Sequence, residues 1–267
     1  MIGIGYHIQT YRHHDHFNKP NSHPESFIGP EVERKLSGAR KIKVVRRVLD
    51  VNAKMAEQNR RIFLDKNVFV LNLMSSPGSG KTATLEKTLT RLEPKIRCAV
   101  IVGDICTTYD ADRLALTGVP VVQINTNEFG GDCHLAAHVI EKAALNIDLD
   151  AVDLLFVENV GNLVCPAEFD IGDDSRVVIL STTEGEDKPL KYPLMFRECD
   201  VAILNKIDLI PYLDFNRQAA IENIRQIHPN MPVFELSAKT EEGFELWINW
   251  VQLAVRQKLK VAASNPI

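Results

Sequence analysis

From residue 67 onward, short apolar runs rich in β-branched residues alternate with stretches whose apolar residues recur at helical spacing. The runs are VFVLNLM (68–74), CAVIVG (98–103), VPVVQIN (119–125), DLLFVEN (153–159), RVVILST (176–182), VAILN (201–205) and PVFELS (232–237). They are nearly continuous rather than alternating, which is the pattern of strands buried on both faces of a parallel sheet. Helical spacing falls at 83–92, 111–116, 133–145, 190–197, 215–227 and 241–259. The alternation predicts an α/β fold, a mostly parallel sheet of about seven strands with helices on both faces. Ligands in such folds sit beyond the carboxyl ends of the strands.

Before residue 66 the pattern changes. Residues 1–30 are rich in His, Asn, Pro and Ser without periodicity, and read as a flexible arm carrying His7, His13, His14, His16 and His23. Residues 31–65 show helical spacing (Val32, Leu36, Ile42, Val45, Leu49, Ala53, Ala56) and predict one or two helices ahead of the main domain at 66–267.

Composition adds limits. A net charge of −4 argues against a general nucleic-acid binder. No apolar run approaches the roughly 20 residues of a membrane-spanning helix. The first residues lack the basic and then apolar signature of a secretory signal, so a cytoplasmic location is expected. Five widely spaced cysteines do not make a disulfide framework.

The chemistry begins at 75–82, SSPGSGKT, which follows the first strand and opens the first helix. This is the context of a phosphate loop. Gly78, Ser79 and Gly80 would turn backbone N–H groups toward phosphate oxygens, and Ala83 lies in the helical turn that follows. Lys81 would reach the outer phosphates, and the Thr82 hydroxyl would ligate Mg²⁺. The customary first glycine is Ser75 here.

NKID at 205–208 closes the strand VAILN. The Asp208 carboxylate can accept from both donors on guanine's edge, with Asn205 reading the other edge and the Lys206 stem packing over the base. Adenine would leave that carboxylate unpaired. Ser237-Ala238-Lys239, after the next strand, is similar to the loop that supports the base in GTPases. The pattern therefore selects GTP and GDP over ATP. Asp104, after the second strand, is a candidate to hold Mg²⁺ or orient the attacking water. Glu158 and Gly161 stand where many GTPases carry DxxG, the glutamate near Mg²⁺ and the glycine N–H near the γ-phosphate. Asp110 reads as a helix cap. No arginine finger is evident, so slow intrinsic turnover is expected.

Gly130-Gly131-Asp132-Cys133-His134 reads as a helix start capped by Asp132, which places Cys133 in the first turn, where the dipole favours thiolate. Cys165 lies just beyond the Glu158 segment. Thiolate and imidazole suit Ni²⁺ or Zn²⁺, and three ligands per chain leave a site that a symmetric dimer could complete. Ordinary free thiols are the competing reading. His138 reads as packing or support, and Cys98 and Cys199 as structural.

NLMSSPGSGKT, GDCHL, ENVGNLVCPAEFDIG, EGEDKPLKYP and LNKIDLIPYL together resemble the HypB family, GTPases that assist nickel insertion during [NiFe]-hydrogenase maturation. The resemblance covers about residues 45–259. It implies a P-loop NTPase of the SIMIBI kind and a nickel or zinc site at Cys133, His134 and Cys165. It also implies a GTP-promoted homodimer, a HypA-like nickel chaperone as partner, and delivery to the hydrogenase large subunit. Lys188 or Lys191 would reach across the dimer. A urease-type nickel GTPase resembles the chain in the phosphate loop but places its Cys-Pro-His ligands in another motif. A metal-storage protein with weak GTPase activity is disfavoured by so short a histidine-bearing arm. The chain lacks the N-terminal CxxCGC site of some family members.

Overall fold

The structure, a computed structural model, describes residues 30–104, 107–129 and 133–264. Residues 1–29 of the expected arm, with their five histidines, lie outside it, as do Cys106 and Asp132. Helix α1 spans Pro30–Asp65, and its residues from Val45 onward belong to one compact unit with residues 66–267.

The seven strands are β1 (Phe69–Ser75), β2 (Cys98–Asp104), β3 (Val121–Asn125), β4 (Leu154–Glu158), β5 (Ser175–Ser181), β6 (Val201–Asn205) and β7 (Val233–Glu235). They form one sheet in the order β3-β2-β4-β1-β5-β6-β7, and every pairing is parallel. The α/β expectation and its strand positions hold. The helices are α2 (Lys81–Leu92), α3 (Tyr109–Ala115), α4 (Ala137–Ala144), α5 (Cys165–Glu168), α6 (Lys188–Lys191), α7 (Pro193–Glu198), α8 (Arg217–Ile227) and α9 (Phe244–Ser264).

Period-two alternation decides which face each strand residue serves. Leu71, Leu73, Val100, Phe156 and Ile179 pack on Leu85 and Leu89 of α2 and on Trp247 and Val251 of α9. The Trp247 indole N–H has a partner inside this cluster, Thr88 Oγ1 at 2.9 Å. Across the sheet, Val70, Ile101, Leu155 and Val157 meet Phe63 of α1 and Ile140 of α4. Val178 and Ala202 are covered by Met195, Phe196 and Ile224. Because every strand runs the same way, the carboxyl ends of β1, β2, β4, β5 and β6 gather on one edge. The central strand β1 delivers the phosphate loop there between β4 and β5.

Two expectations need correction. The helix expected from residue 133 begins at Ala137. Its N-terminal neighbour Ala136 is extended (φ −90°, ψ 156°), and the Ala137 N–H is taken by Asn52 Oδ1 at 2.9 Å. Cys133 and His134 therefore sit on the loop before α4, and a first-turn dipole does not act on the Cys133 thiol. The single helix expected near 190–197 is two, broken at Tyr192 because Pro193 opens the second.

Candidate functional site

Ser76 to Gly80 connect β1 to α2. Gly80 caps the helix with a left-handed backbone (φ 91°, ψ 28°), and a Cβ there would lie 2.5 Å from Asn205 Nδ2. Glycine is required at that point on both counts. Lys81 and Thr82 open α2 facing the end of β4. Thr82 Oγ1 donates to Glu158 Oε1 at 2.7 Å, and Lys81 Nζ lies 3.5 Å from the same oxygen. Glu158 is 1% exposed, and its second oxygen is buried without a hydrogen-bond partner, as is Ser79 Oγ. Burial pushes the Glu158 carboxyl upward against the pull of Lys81 and Thr82, and Asp110 adds to the rise. A hydroxyl beside an under-coordinated buried carboxylate suits a hard divalent cation such as Mg²⁺. The orphaned Ser79 hydroxyl suits a phosphate oxygen.

Asp104 ends β2, where Thr107 Oγ1 donates to it at 2.5 Å. The cap of α3 is Thr108 rather than Asp110, whose carboxylate instead acts electrostatically on Glu158. Gly161 lies against Pro77, so the segment after β4 touches the phosphate loop directly.

The expected base-reading residues converge on the same loop. Asn205 Nδ2 donates to Ser79 O at 2.9 Å, and its Oδ1 accepts from Lys206 N at 2.7 Å and Ala238 N at 3.2 Å. Lys206, with a left-handed backbone, reaches Gly78 O with its ammonium at 2.7 Å. Ser237 Oγ donates to Asp208 Oδ1 at 2.6 Å while accepting from Lys239 N and Thr240 N. One Asp208 oxygen is thus held and the carboxylate aimed, the preorganisation that a base-reading group needs.

On the other side of β1, Glu184 caps the turn after β5 through a capping box with Ser181 and contacts Ser76 Oγ. Lys188 lies 3.9 Å from Glu184 and over the Tyr192 ring. Lys191 is the more exposed of the two lysines and pairs with Asp187 at 2.5 Å.

Cys133, His134 and Cys165 come together, their ligand atoms all within 4.8 Å of one another. The two Sγ atoms are 2.8 Å apart, and both cysteines are free thiols. The hydrogen bond with Cys133, then burial, holds the Cys165 thiol above its ordinary value. A soft or borderline cation would relieve that crowding by displacing the thiol protons, so the donor set fits nickel or zinc. Cys98 and Cys199 are buried apart from this cluster, and burial raises both thiols. They remain structural.

Sequence reasoning missed several supporting residues. Phe169 stacks on the His134 ring with centroids 3.7 Å apart. Asn159 Oδ1 accepts from Val160 N at 3.0 Å and Leu135 N at 3.3 Å, tying the loop of Cys133 and His134 to the end of β4. Its amide donates to Asn72, which in turn donates to Asp173. Asn72 was concealed inside the apolar run of β1. A lone amide in such a run was the available signal, since a buried amide needs a partner.

Residues 69–235 match the family model described as CobW/HypB/UreG, nucleotide-binding domain. The hydrogenase maturation factor HypB of Escherichia coli K12 is 48% identical over 217 residues, covering 81% of this chain and 74% of that protein. The hydrogenase/urease maturation factor HypB of Helicobacter hepaticus is 43% identical over 206 residues, 76% of this chain and 83% of that one. The crystal structure of HypB from Helicobacter pylori in complex with nickel superposes with a TM-score of 0.73 at 38% identity, covering 77% of this chain and 95% of that one. With the phosphate loop at the end of β1 and the Cys-His-Cys cluster drawn from the segments that follow β3 and β4, the chain belongs to the HypB family of hydrogenase maturation factors, nucleotide-binding proteins of the P-loop class.

Proposed function

We propose that the chain is a GTP-hydrolysing metallochaperone whose nucleotide state controls nickel insertion into the large subunit of a [NiFe]-hydrogenase. One observation carries this reading. Glu158 closes β4 against Lys81 and Thr82, and the same chain segment continues to Cys165 beside Cys133 and His134. A change at the outer phosphate acts on the segment that supplies a metal ligand. The names of its relatives, hydrogenase maturation factors, agree with the destination.

In this reading Gly78, Ser79, Gly80, Lys81, Thr82 and Ala83 cradle the phosphates. Thr82 and Asp104, with the Glu158 carboxylate beside Thr82, would hold Mg²⁺, which would neutralise charge on the transferring phosphoryl group. Lys81 stabilises that charge, Asp104 and Glu158 orient water, and the Gly161 N–H senses the γ-phosphate. Asn205, Lys206, Asp208, Ser237, Ala238 and Lys239 select guanine. Turnover is slow without an arginine finger. Cys133, His134 and Cys165 bind Ni²⁺ or Zn²⁺, and three ligands leave a coordination position that a second copy of the chain completes when GTP promotes dimerisation. A HypA-like chaperone supplies nickel. Work in the cytoplasm belongs to the same reading; among the described residues no helix is long and apolar enough to cross a membrane.

The test is size-exclusion chromatography with metal analysis, in GDP and in a non-hydrolysable GTP analogue. Dimer formation with the analogue, and a change in bound nickel on switching nucleotide, are expected. Identical mass and metal content in both would refute the coupling. The name of the H. hepaticus relative, a hydrogenase/urease maturation factor, keeps urease as a second destination for the same chemistry.

A further inference from the structure

We infer that helix α1 is a positioning element of the metal cluster, acting through Asn52 and Asn59. The inference rests on the reading that Cys133, His134 and Cys165 bind metal. Each asparagine bridges the two chain segments that carry those ligands. Asn52 accepts from Ala137 N at 2.9 Å and donates to Asp170 O at 2.7 Å. Asn59 donates to Ala137 O at 2.8 Å and to Ile171 O at 3.0 Å. Ala137 follows His134 by three residues. Asp170 and Ile171 directly follow Phe169, whose ring stacks on His134, and lie a few residues past Cys165.

The seven-residue spacing puts both amides on one helix face, with Ala56 and Phe63 buried beside them. Ala56 and Phe63 already bury apolar surface on this face of the helix. Burying two amides costs desolvation, and Asn59 Oδ1 finds no hydrogen-bond partner. What the amides add is directional: they hold two backbone segments at a set separation, which apolar side chains of the same size cannot do. The fit is close, since Gly172, at φ 87°, has no room for a Cβ, which would lie 2.6 Å from Ala56 O. Moving α1 thus moves the loop of Cys133 and His134 relative to the segment of Cys165 and Phe169.

The experiment titrates Ni²⁺ into the full chain and follows the thiolate-to-nickel charge-transfer band, which reports cysteine ligation rather than binding by other histidines. Asn52→Ala and Asn59→Ala are compared with Phe63→Leu, which loosens α1 without touching either bridge. Thermal unfolding is recorded for each variant. The asparagine variants should weaken nickel binding by about tenfold, the low end for groups that support a metal site, because they hold backbone beyond the ligands rather than a ligand itself, and should shift the band. Phe63→Leu should lower the unfolding midpoint while leaving affinity and band as in the wild type. Should Asn59→Ala fail to fold, Asn52→Ala carries the test. Wild-type affinity and band in the asparagine variants would overturn the inference, as would an equal change in Phe63→Leu. If Cys133→Ser and Cys165→Ser keep the wild-type band, the metal assignment itself falls, and this inference with it.

Discussion

Thr82 donates its hydroxyl hydrogen to Glu158 at 2.7 Å, and the accepting oxygen is also the one nearest Lys81, so a single buried carboxylate oxygen joins both functional side chains that open α2. Burial disfavours the charge on Glu158, while Lys81 and Thr82 support it. A group kept at that balance responds strongly to a cation or phosphate arriving beside it. Glu158→Gln keeps the shape and an acceptor for Thr82 but removes the charge. We expect turnover of GTP to fall by about a hundredfold, the scale of losing one preorganised electrostatic group, with nucleotide affinity changed far less. Lys81→Ala should abolish hydrolysis with the fold intact. Steady-state kinetics and circular dichroism check both; retained turnover in Lys81→Ala would remove the phosphate-loop assignment.

Asp208 is aimed by Ser237 at 2.6 Å, which leaves its other oxygen for the base. In Asp208→Asn an amide donor replaces part of the acceptor edge. Affinity for GTP should drop by the cost of unpaired polar groups, about 1–3 kcal/mol, while xanthosine triphosphate, with a carbonyl in place of guanine's amine, should gain. Competition binding with the two nucleotides measures the exchange, and unchanged GTP affinity would refute base reading by NKID.

Gly80 links the phosphate loop to the base loop through its closeness to Asn205 Nδ2, which bonds Ser79 O. Gly80→Ala meets two penalties, the left-handed backbone at about 1–2 kcal/mol and a methyl that must displace Asn205. We expect a lowered unfolding midpoint without nucleotide and a larger loss of GTP affinity than of stability, because the displaced amide serves the site. Differential scanning calorimetry beside nucleotide titration separates the two, and a loss confined to stability would show that Gly80 matters only for packing.

The strands were legible in the sequence because runs such as CAVIVG and VAILN are apolar without alternation, and a parallel sheet covered on both faces demands that. SSPGSGKT and NKID were legible because each is local and sits at a strand end. What escaped is long-range or locally ambiguous. Gly130-Gly131-Asp132 reads as a helix start, yet Asn52 and Asn159 take the N–H groups of Ala137 and Leu135 and delay α4. No local pattern predicts partners 85 positions away along the chain. Cys133 and Cys165 likewise meet only because the parallel strands that precede them, β3 and β4, flank β2 in the sheet, and their pairing came from family resemblance rather than from spacing.

Arg60 on α1 makes two hydrogen bonds to the Asp170 carboxylate, at 2.9 and 3.1 Å. Burial raises the Asp170 carboxyl, but the Gly172 N–H and the Arg60 guanidinium outweigh it and hold the group below its ordinary value. A depressed acid contributes stability that is present above its unfolded value, about 3.9, and is lost as pH falls through its lower folded value. The stability gap between wild type and Asp170→Asn should therefore be constant above about pH 5 and close below about pH 4. Urea unfolding across that range measures it, and a gap that persists in acid would mean that Asp170 acts through shape rather than charge.

Cys133 and Cys165 place their sulfurs 2.8 Å apart beside His134. Thiolate ligands dominate affinity for a borderline cation, so removing either should leave too few donors to hold one firmly. Cys133→Ser and Cys165→Ser should each lose most of the nickel or zinc that the folded domain retains through gel filtration. His134→Ala should weaken binding less, because two thiolates remain. Phe169→Leu removes the stacked ring but no ligand, so it should leave stoichiometry unchanged while lowering affinity by roughly tenfold, the smaller end of what supporting groups contribute. Elemental analysis with competitive chelators ranks the four variants. Unchanged metal in both cysteine variants would place the site elsewhere, whereas a Phe169 effect as large as a cysteine effect would mean that ring packing, rather than ligand count, controls retention.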